Sequence, residues 1–227
     1  MGQAPLHTVF RIFRIRCSQG PDPHEQKGLE MGKKIILGSA SPRRRELLAQ
    51  IGVEFEIRVS DKEEIYHSER PEDIVCELAM MKAENVASEL SEEERQDSVV
   101  IGADTVVVLD GKILGKPADA EDAVRMLSSL QGRSHEVYTG VAVTAFSGNV
   151  ETQRENYAVE TKVYVNPMTE QEIRDYAATG EPLDKAGSYG IQGRFAACID
   201  RIEGDYYNVV GLPVSRVYRT LKEMNAL

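Results

Sequence analysis

Three consecutive arginines, Arg43, Arg44 and Arg45, follow Ser41-Pro42 in the stretch GSASPRRRELL, where the apolar spacing beyond them predicts a helix. Ser41 suits the N-cap, and Pro42 the first helical position, where its missing N–H costs nothing. Cations in that first turn oppose the helix dipole, at about a few tenths of a kcal/mol each on a surface. An anion at the same terminus reverses the sign. Free backbone N–H groups, the hydroxyls of Ser39 and Ser41, and the forked guanidiniums of Arg43 and Arg44 are then the parts of a phosphate cradle. The plainer reading is a solvated basic helix start with Glu46 as a neutralising neighbour. The Walker A pattern GxxxxGK[ST] occurs neither here nor at GKILGKP.

Asp104 lies in VVIGADTVVVL, a β-branched run that otherwise reads as a buried strand. An unpaired buried carboxylate is costly, so Asp104 needs a cation, a metal or a proton. It is a candidate metal ligand or general base at a strand kink marked by Gly102, or else a structural aspartate capping a bulge. Lys82 shares a helical face with Val75, Leu78 and Val86, so it either snorkels to water or points into a site. Lys116 precedes Pro117 and so has extended backbone. Glu63 and Glu64 follow the strand pattern FEIRVS and suit either a divalent cation or plain surface. The loop EPLDKAGSYGIQG gathers Glu181, Asp184, Lys185 and Gln192 with glycines spaced by three, which is not GxGxxG. A buried amide at Gln192 would read a base edge with one acceptor and two donors. HExxH and GxSxG are absent, and His7, His24, His67 and His135 form no spaced cluster, so nucleophilic and zinc-hydrolase chemistry has little support.

The elements that must position these residues alternate strand and helix from Lys33 onward. KKIILG predicts a strand, PRRRELLAQIG a helix closed by Gly52, and FEIRVS the next strand. A long helix runs from about Pro71 to Leu90, with Glu72 and Asp73 suiting its N-terminus, and the charged SEEERQD reads as a connector. Asp110-Gly111 predicts a hairpin turn between the strand ending at Leu109 and KILG. Asp119 caps a helix with Val124, Leu127 and Leu130 on one face and Gly132 beyond its end. Strands HEVYTGVAVTAF and NYAVETKVYV precede a helix with the capping box Thr169-x-x-Glu172 that stops at Gly180. AACIDRI and YYNVV read as strands, and Pro213 opens the last helix. With no internal repeat or low-complexity linker, residues 33–227 read as one α/β domain with a mixed sheet.

The 227 residues suffice for a substantial core without disulfides or metals. A formal net charge of −10 argues against a nucleic-acid polymer as partner but leaves room for a small anion in a local basic pocket. Cys17, Cys76 and Cys198 form no CxxC pair, and a reducing, cytoplasmic location fits them. No apolar run approaches the roughly 18 residues of a membrane span. Residues 1–32 stand apart: Arg11, Arg14 and Arg16 precede any acidic residue. They read as a disordered extension, as sequence upstream of a start at Met31, or as an organelle-targeting segment.

Together GSASPRRRELL, IGADTVVVLDGKILGKP, YTGVAV, EPLDKAGSYGIQG and NVVGLPV resemble, in order, the motifs of the Maf family of nucleoside triphosphate pyrophosphatases. The resemblance runs from Lys33 to the C-terminus. It implies a mixed α/β fold like that of inosine-triphosphate pyrophosphatases: an elongated twisted sheet flanked by helices in two lobes with a central cleft. It implies cleavage between the α and β phosphates with a divalent cation (Mg²⁺, Mn²⁺ or Co²⁺), and a homodimer as one assembly. Asp104 falls on the family's catalytic acid, Ser39, Arg43 and Arg44 on its phosphate-binding helix start, and Glu64, Lys82 and Lys116 on further site positions. Asp104 would deprotonate the attacking water, directly or through a metal-bound water, while Glu64 helps hold the cation, with Asp104 the second metal candidate. Lys82 and Lys116 would offset charge on the leaving pyrophosphate. Ser41, Asp184 and Lys185 join the substrate-binding set, and Arg44, Thr105 and Gln192 match the subgroup that prefers dTTP and UTP. Rival expectations are a purine pyrophosphatase of the ITP type and a nucleotide-sensing regulator of cell division.

Overall fold

A computed structural model of the chain describes residues 32–227; the expectations for the N-terminal extension fall outside that range, Gly32 apart. β1 (Lys34–Gly38) is aliphatic and buried from Ile35 onward. It runs parallel to β2 (Glu56–Ile57) on one side and to β3 (Ser98–Leu109) on the other. β3 is antiparallel to β5 (Ser134–Ser147), β5 to β6 (Val150–Val165) and β6 to β7 (Ile199–Glu203). The short β4 (Lys112–Leu114) returns along the far end of β3 through Asp110 and Gly111, both at positive φ, as a two-residue hairpin turn requires.

Alternation along β3 divides the interior. Val99, Ile101 and Ala103 face a core built with α1 (Pro42–Gln50) and α7 (Val214–Glu223), through Leu47, Leu48, Val217 and Leu221. Further along the same face, Val107 and Leu109 meet a second core with α4 (Ala120–Leu130) and α5 (Glu170–Ala177), through Leu127, Leu130 and Ile173, joined by Phe195 from the 3-10 turn Arg194–Cys198. Thr105 falls between the two. The opposite face is covered by α2 (Pro71–Glu89), whose Ala79, Ala83 and Val86 pack on Val100 and Ala142.

Helix caps occur where the sequence places them. Asp119 accepts the Asp122 N–H, and Thr169 and Glu172 form a reciprocal capping box. Four expectations need correction. FEIRVS is a strand only at Glu56–Ile57, both exposed at the sheet edge. SEEERQD is not a bare connector: Ser91 and Glu94 form a second capping box that starts the single turn α3 (Glu92–Arg95). YYNVV is not a strand but α6 (Tyr206–Val210), because Asp205 caps the Tyr207 N–H and Gly211 ends the turn at φ 123°. Finally, Gly102 marks no kink, since β3 keeps one register with β5 from Val99 to Val108.

Gly102 and its cross-strand relative Gly140, which pairs with Asp104, exist for a different reason. A Cβ at Gly102 would run into the backbone of α2 at Ala79 and Ala83, and one at Gly140 into the backbone at Val75 and Cys76. The helix therefore lies directly on the strands. Alanine normally gains a few tenths to about 1 kcal/mol over glycine from unfolded-state entropy. Here backbone overlap outweighs that gain, so Gly140→Ala is expected to lose about 1–3 kcal/mol of stability. A lower denaturant midpoint at unchanged m-value checks it; an unchanged midpoint would mean that α2 does not sit this close.

Candidate active site

β1 stops pairing with β3 at Gly38–Gly102, and β4 begins pairing at Val107. Between those points the edge of β3 has no strand partner on that side among the described residues. Side chains from both its faces, Asp104 and Thr105, reach one opening there. A cavity of about 490 Å³ fills the gap, lined by the β1–α1 turn, α2, β3, the 184–193 loop and the α6–α7 junction. Its lining carries Arg43, Arg44, Lys62, Lys82, Lys116 and Lys185 against Glu64, Asp104 and Asp184. In a chain of net charge −10, this is a local excess of cations.

The three arginines of the opening motif part company. Arg44 turns inward and is 9% exposed. Its Nε donates to the Gly211 carbonyl at 2.8 Å, Nη1 to Ser39 Oγ at 3.0 Å and Nη2 to Thr105 Oγ1 at 3.0 Å. Burial pulls this guanidinium below its usual pKa, with the Asp104 carboxylate opposing the shift. Arg43 lies at the cavity wall and reaches Asp184 Oδ2 at 3.4 Å. Arg45 is exposed and outside the lining. Ser41 occupies the N-cap position without a side-chain cap; its own N–H points to Ser39 Oγ at 3.3 Å.

Lys82 does not snorkel to bulk water. Its Nζ lies 2.5 Å from Asp104 Oδ1 and 3.2 Å from Glu64 Oε2. The strand aspartate thus has its cation, and one ammonium joins a half-buried carboxylate from β3 to one from the 58–69 loop. Lys185 Nζ donates to Asp184 Oδ1 and to the Glu181 carbonyl, both at 2.6 Å. Partial burial raises the Asp184 carboxyl pKa, yet Lys185 and Arg43 outweigh it and leave the group below its ordinary value. Lys116 and Gln192 line the cavity and are exposed, so Gln192 is not the buried amide expected. Glu63 is exposed and outside the lining.

Several residues of the site were not singled out by type. Thr139 Oγ1 sits 2.9 Å from Thr105 Oγ1 and donates to the Asn208 carbonyl. Asn208, fully buried, donates through Nδ2 to the Val137 carbonyl and Thr161 Oγ1. Polar side chains within otherwise apolar runs, Thr139 in YTGVAV on β5 and Asn208 in YYNVVG on α6, were the available signal. Tyr189 lines the cavity and is hydrogen-bonded at 2.7 Å to Nε2 of His135, which burial holds neutral with a pKa lowered to about 4.

The site is thus a cleft with a polar floor, a basic rim and a carboxylate–ammonium cluster at one edge, an arrangement whose charge suits an anion. The sequence model of the family described as Maf-like protein matches residues 34–224, and the chain belongs to the Maf family. It is 51% identical over 199 residues to a protein of Agathobacter rectalis named dTTP/UTP pyrophosphatase, covering 84% of this chain and 97% of that one. A Bacillus cereus protein of the same name is 49% identical over 203 residues, covering 89% and 95%. Among solved structures, a HAM1 protein from Coxiella burnetii overlaps 84% of this chain and 99% of its own, with a TM-score of 0.42 and 10% identity.

Two predictions test the site's framework. Arg44→Lys cannot reach three acceptors from one ammonium, and a stranded buried acceptor costs about 1–3 kcal/mol. A stability loss of that size by denaturant titration is expected, and none would mean that the fork is dispensable. His135 has a folded pKa below its unfolded value, so the unfolded chain takes the proton first. Its contribution is present above about pH 6.5 and lost as pH falls towards 4. His135→Gln should flatten the stability–pH slope in that window by up to about 1.4 kcal/mol per pH unit. Parallel slopes for the two proteins would show that His135 does not titrate on unfolding.

Proposed function

We propose that the chain hydrolyses nucleoside triphosphates to the monophosphate and pyrophosphate, with dTTP and UTP preferred. The observation that carries the reading is Asp104, held by Lys82 at the open edge of β3, inside a cavity with twice as many cationic as anionic side chains. Family membership and the names of its relatives support the same chemistry.

Oδ1 of Asp104 is engaged by Lys82, which leaves Oδ2 to take the proton of a water attacking the α phosphorus. The new P–O bond forms as the bridging bond to the β phosphate breaks, and pyrophosphate departs with the electron pair. Arg43, Lys116 and Lys185 offer the cavity's positive charge to the β and γ phosphates. Lys82, which the resemblance assigns to the leaving group, lies 3.2 Å from Glu64 and 2.5 Å from Asp104, where it also orients the two carboxylates. Gln192 presents its amide to the pyrimidine edge, above the floor built by Arg44 and Thr105.

Among the described residues no group of three or more His, Cys, Asp or Glu side chains is placed to hold a metal. Glu64 and Asp104, two hard carboxylates that both reach the Lys82 ammonium, would hold a cation of the Mg²⁺, Mn²⁺ or Co²⁺ kind. When bound, such an ion supplies Lewis-acid neutralisation of the phosphate oxygens.

Pyrophosphate release from dTTP, UTP, CTP, GTP and ITP with Mg²⁺ or Mn²⁺ tests the reading. dTTP and UTP should turn over fastest, and Asp104→Asn should lose about 10²–10⁴-fold in kcat while still binding nucleotide. Near-normal turnover in the variant would remove Asp104 as the base. Tight binding without release in the wild type would favour a nucleotide sensor, and preference for ITP a purine pyrophosphatase.

A further inference from the structure

Gln192 makes no side-chain hydrogen bond among the described residues, so its amide is aimed by the backbone that carries it. That backbone is a tight turn, closed by the Gly193 N–H on the Gly190 carbonyl at 3.1 Å. Both of its ends are pinned to one carboxylate. The Arg194 N–H donates to Glu181 Oε2 at 3.2 Å. The Gly190 N–H donates to the hydroxyl of Tyr176 at 3.3 Å, and that hydroxyl donates to Glu181 Oε1 at 3.0 Å. The Tyr176 ring is buried against Phe195, so this link is fixed in place. Gly193 lies so close to the carboxylate that a Cβ there would overlap it. The backbone carbonyl of Glu181 meanwhile holds Lys185 Nζ at 2.6 Å.

We propose that Glu181 is a positioning residue for base selection, whose carboxylate sets the 190–194 turn so that Gln192 meets the base while its carbonyl holds Lys185 at the phosphate side. It touches no substrate itself. The proposal rests on the nucleotide-hydrolysis reading above and adds to it the residue that couples base recognition to the basic rim. Replacing the carboxylate frees the Arg194 and Tyr176 donors together, and the turn carrying Gln192 loses both anchors. The carbonyl contact to Lys185 survives substitution, so the phosphate end should be less affected than the base end.

The test compares Glu181→Ala, Glu181→Gln, Gln192→Ala and the Glu181→Ala/Gln192→Ala double variant. Each is assayed for kcat and KM with UTP and with GTP. Glu181→Ala is expected to lower the UTP-over-GTP ratio of kcat/KM by about tenfold, the loss of one oriented hydrogen bond. The change should lie in KM, with kcat for UTP kept within about threefold. In the Gln192→Ala background the same substitution should change the ratio by less than about twofold, because the two act as one unit. Glu181→Gln keeps an acceptor for the Arg194 N–H and should restore most of the ratio.

Multiplicative effects in the double variant, or equal losses with UTP and GTP, would overturn the proposal. If Glu181→Ala fails to fold, Tyr176→Phe carries the test: it removes only the hydroxyl, and an unchanged ratio would overturn the proposal as well. Absence of pyrophosphate release from the wild type would instead sink the hydrolytic reading. The role of Glu181 would then be decided by the relative affinities of the α,β-methylene analogues of UTP and GTP, with the same ratios expected.

Discussion

The guanidinium of Arg44 is the contact on which the site's shape depends. A charged group this deeply buried is tolerated only when its donors are satisfied. Three neutral acceptors do so, and they come from parts of the chain far apart in sequence: Ser39 after β1, Thr105 in the middle of β3, and the carbonyl of Gly211 after α6. Each belongs to a different wall of the cavity. Neutral partners leave the positive charge uncancelled by direct pairing, so the cavity floor is both rigid and electropositive. Two neighbouring arginines of the same motif are thereby divided in role, Arg44 to structure and Arg43 to the rim.

The cavity itself follows from strand lengths. β1 is too short, and β4 starts too late, to cover the edge of β3 around Asp104 and Thr105. Thr105, Thr139, Asn208 and Thr161 form a polar seam between the two apolar cores on one face of the sheet. An apolar seam would have merged the cores and closed the cleft. On the other face, Gly102 and Gly140 let α2 approach until Lys82 reaches Asp104. A lysine in a helix and an aspartate in a strand, 22 residues apart, become partners because two glycines bring their backbones together.

Most strands and helices were legible because their signals are local. Asp119, Thr169 and Glu172 bond within their own turns, and the β-branched run of β3 makes one unbroken strand of twelve residues. YYNVV misled because Val209 and Val210 favour strands, whereas the deciding contacts are the Asp205 cap and the reach of Asn208 to Val137 and Thr161. The need of Asp104 for a cation was readable from its apolar neighbours, but which cation was not. The direction of Arg44 was unreadable for a similar reason: its acceptors lie up to 167 positions away and one is a main-chain carbonyl. Sequence types indicate which groups need partners, and only the fold indicates which partner each finds.

Those partnerships also bear on the divalent cation proposed for the chemistry. Lys82 is shared between Asp104 and Glu64, so one ammonium offsets only one of two carboxylates. Arg43 and Lys185 are likewise partly held by Asp184. A triphosphate entering the cleft brings about four negative charges, and close to Asp104 it meets further negative charge. On the proposed reading the rim cations would favour its distal phosphates, while Lys82, already shared by two carboxylates, would offset only part of the repulsion beside Asp104. A divalent ion between Asp104, Glu64 and the substrate would reverse the sign of that interaction. On the proposed reading, the acid cluster that would make Asp104 the base is also the feature that argues for a metal beside it.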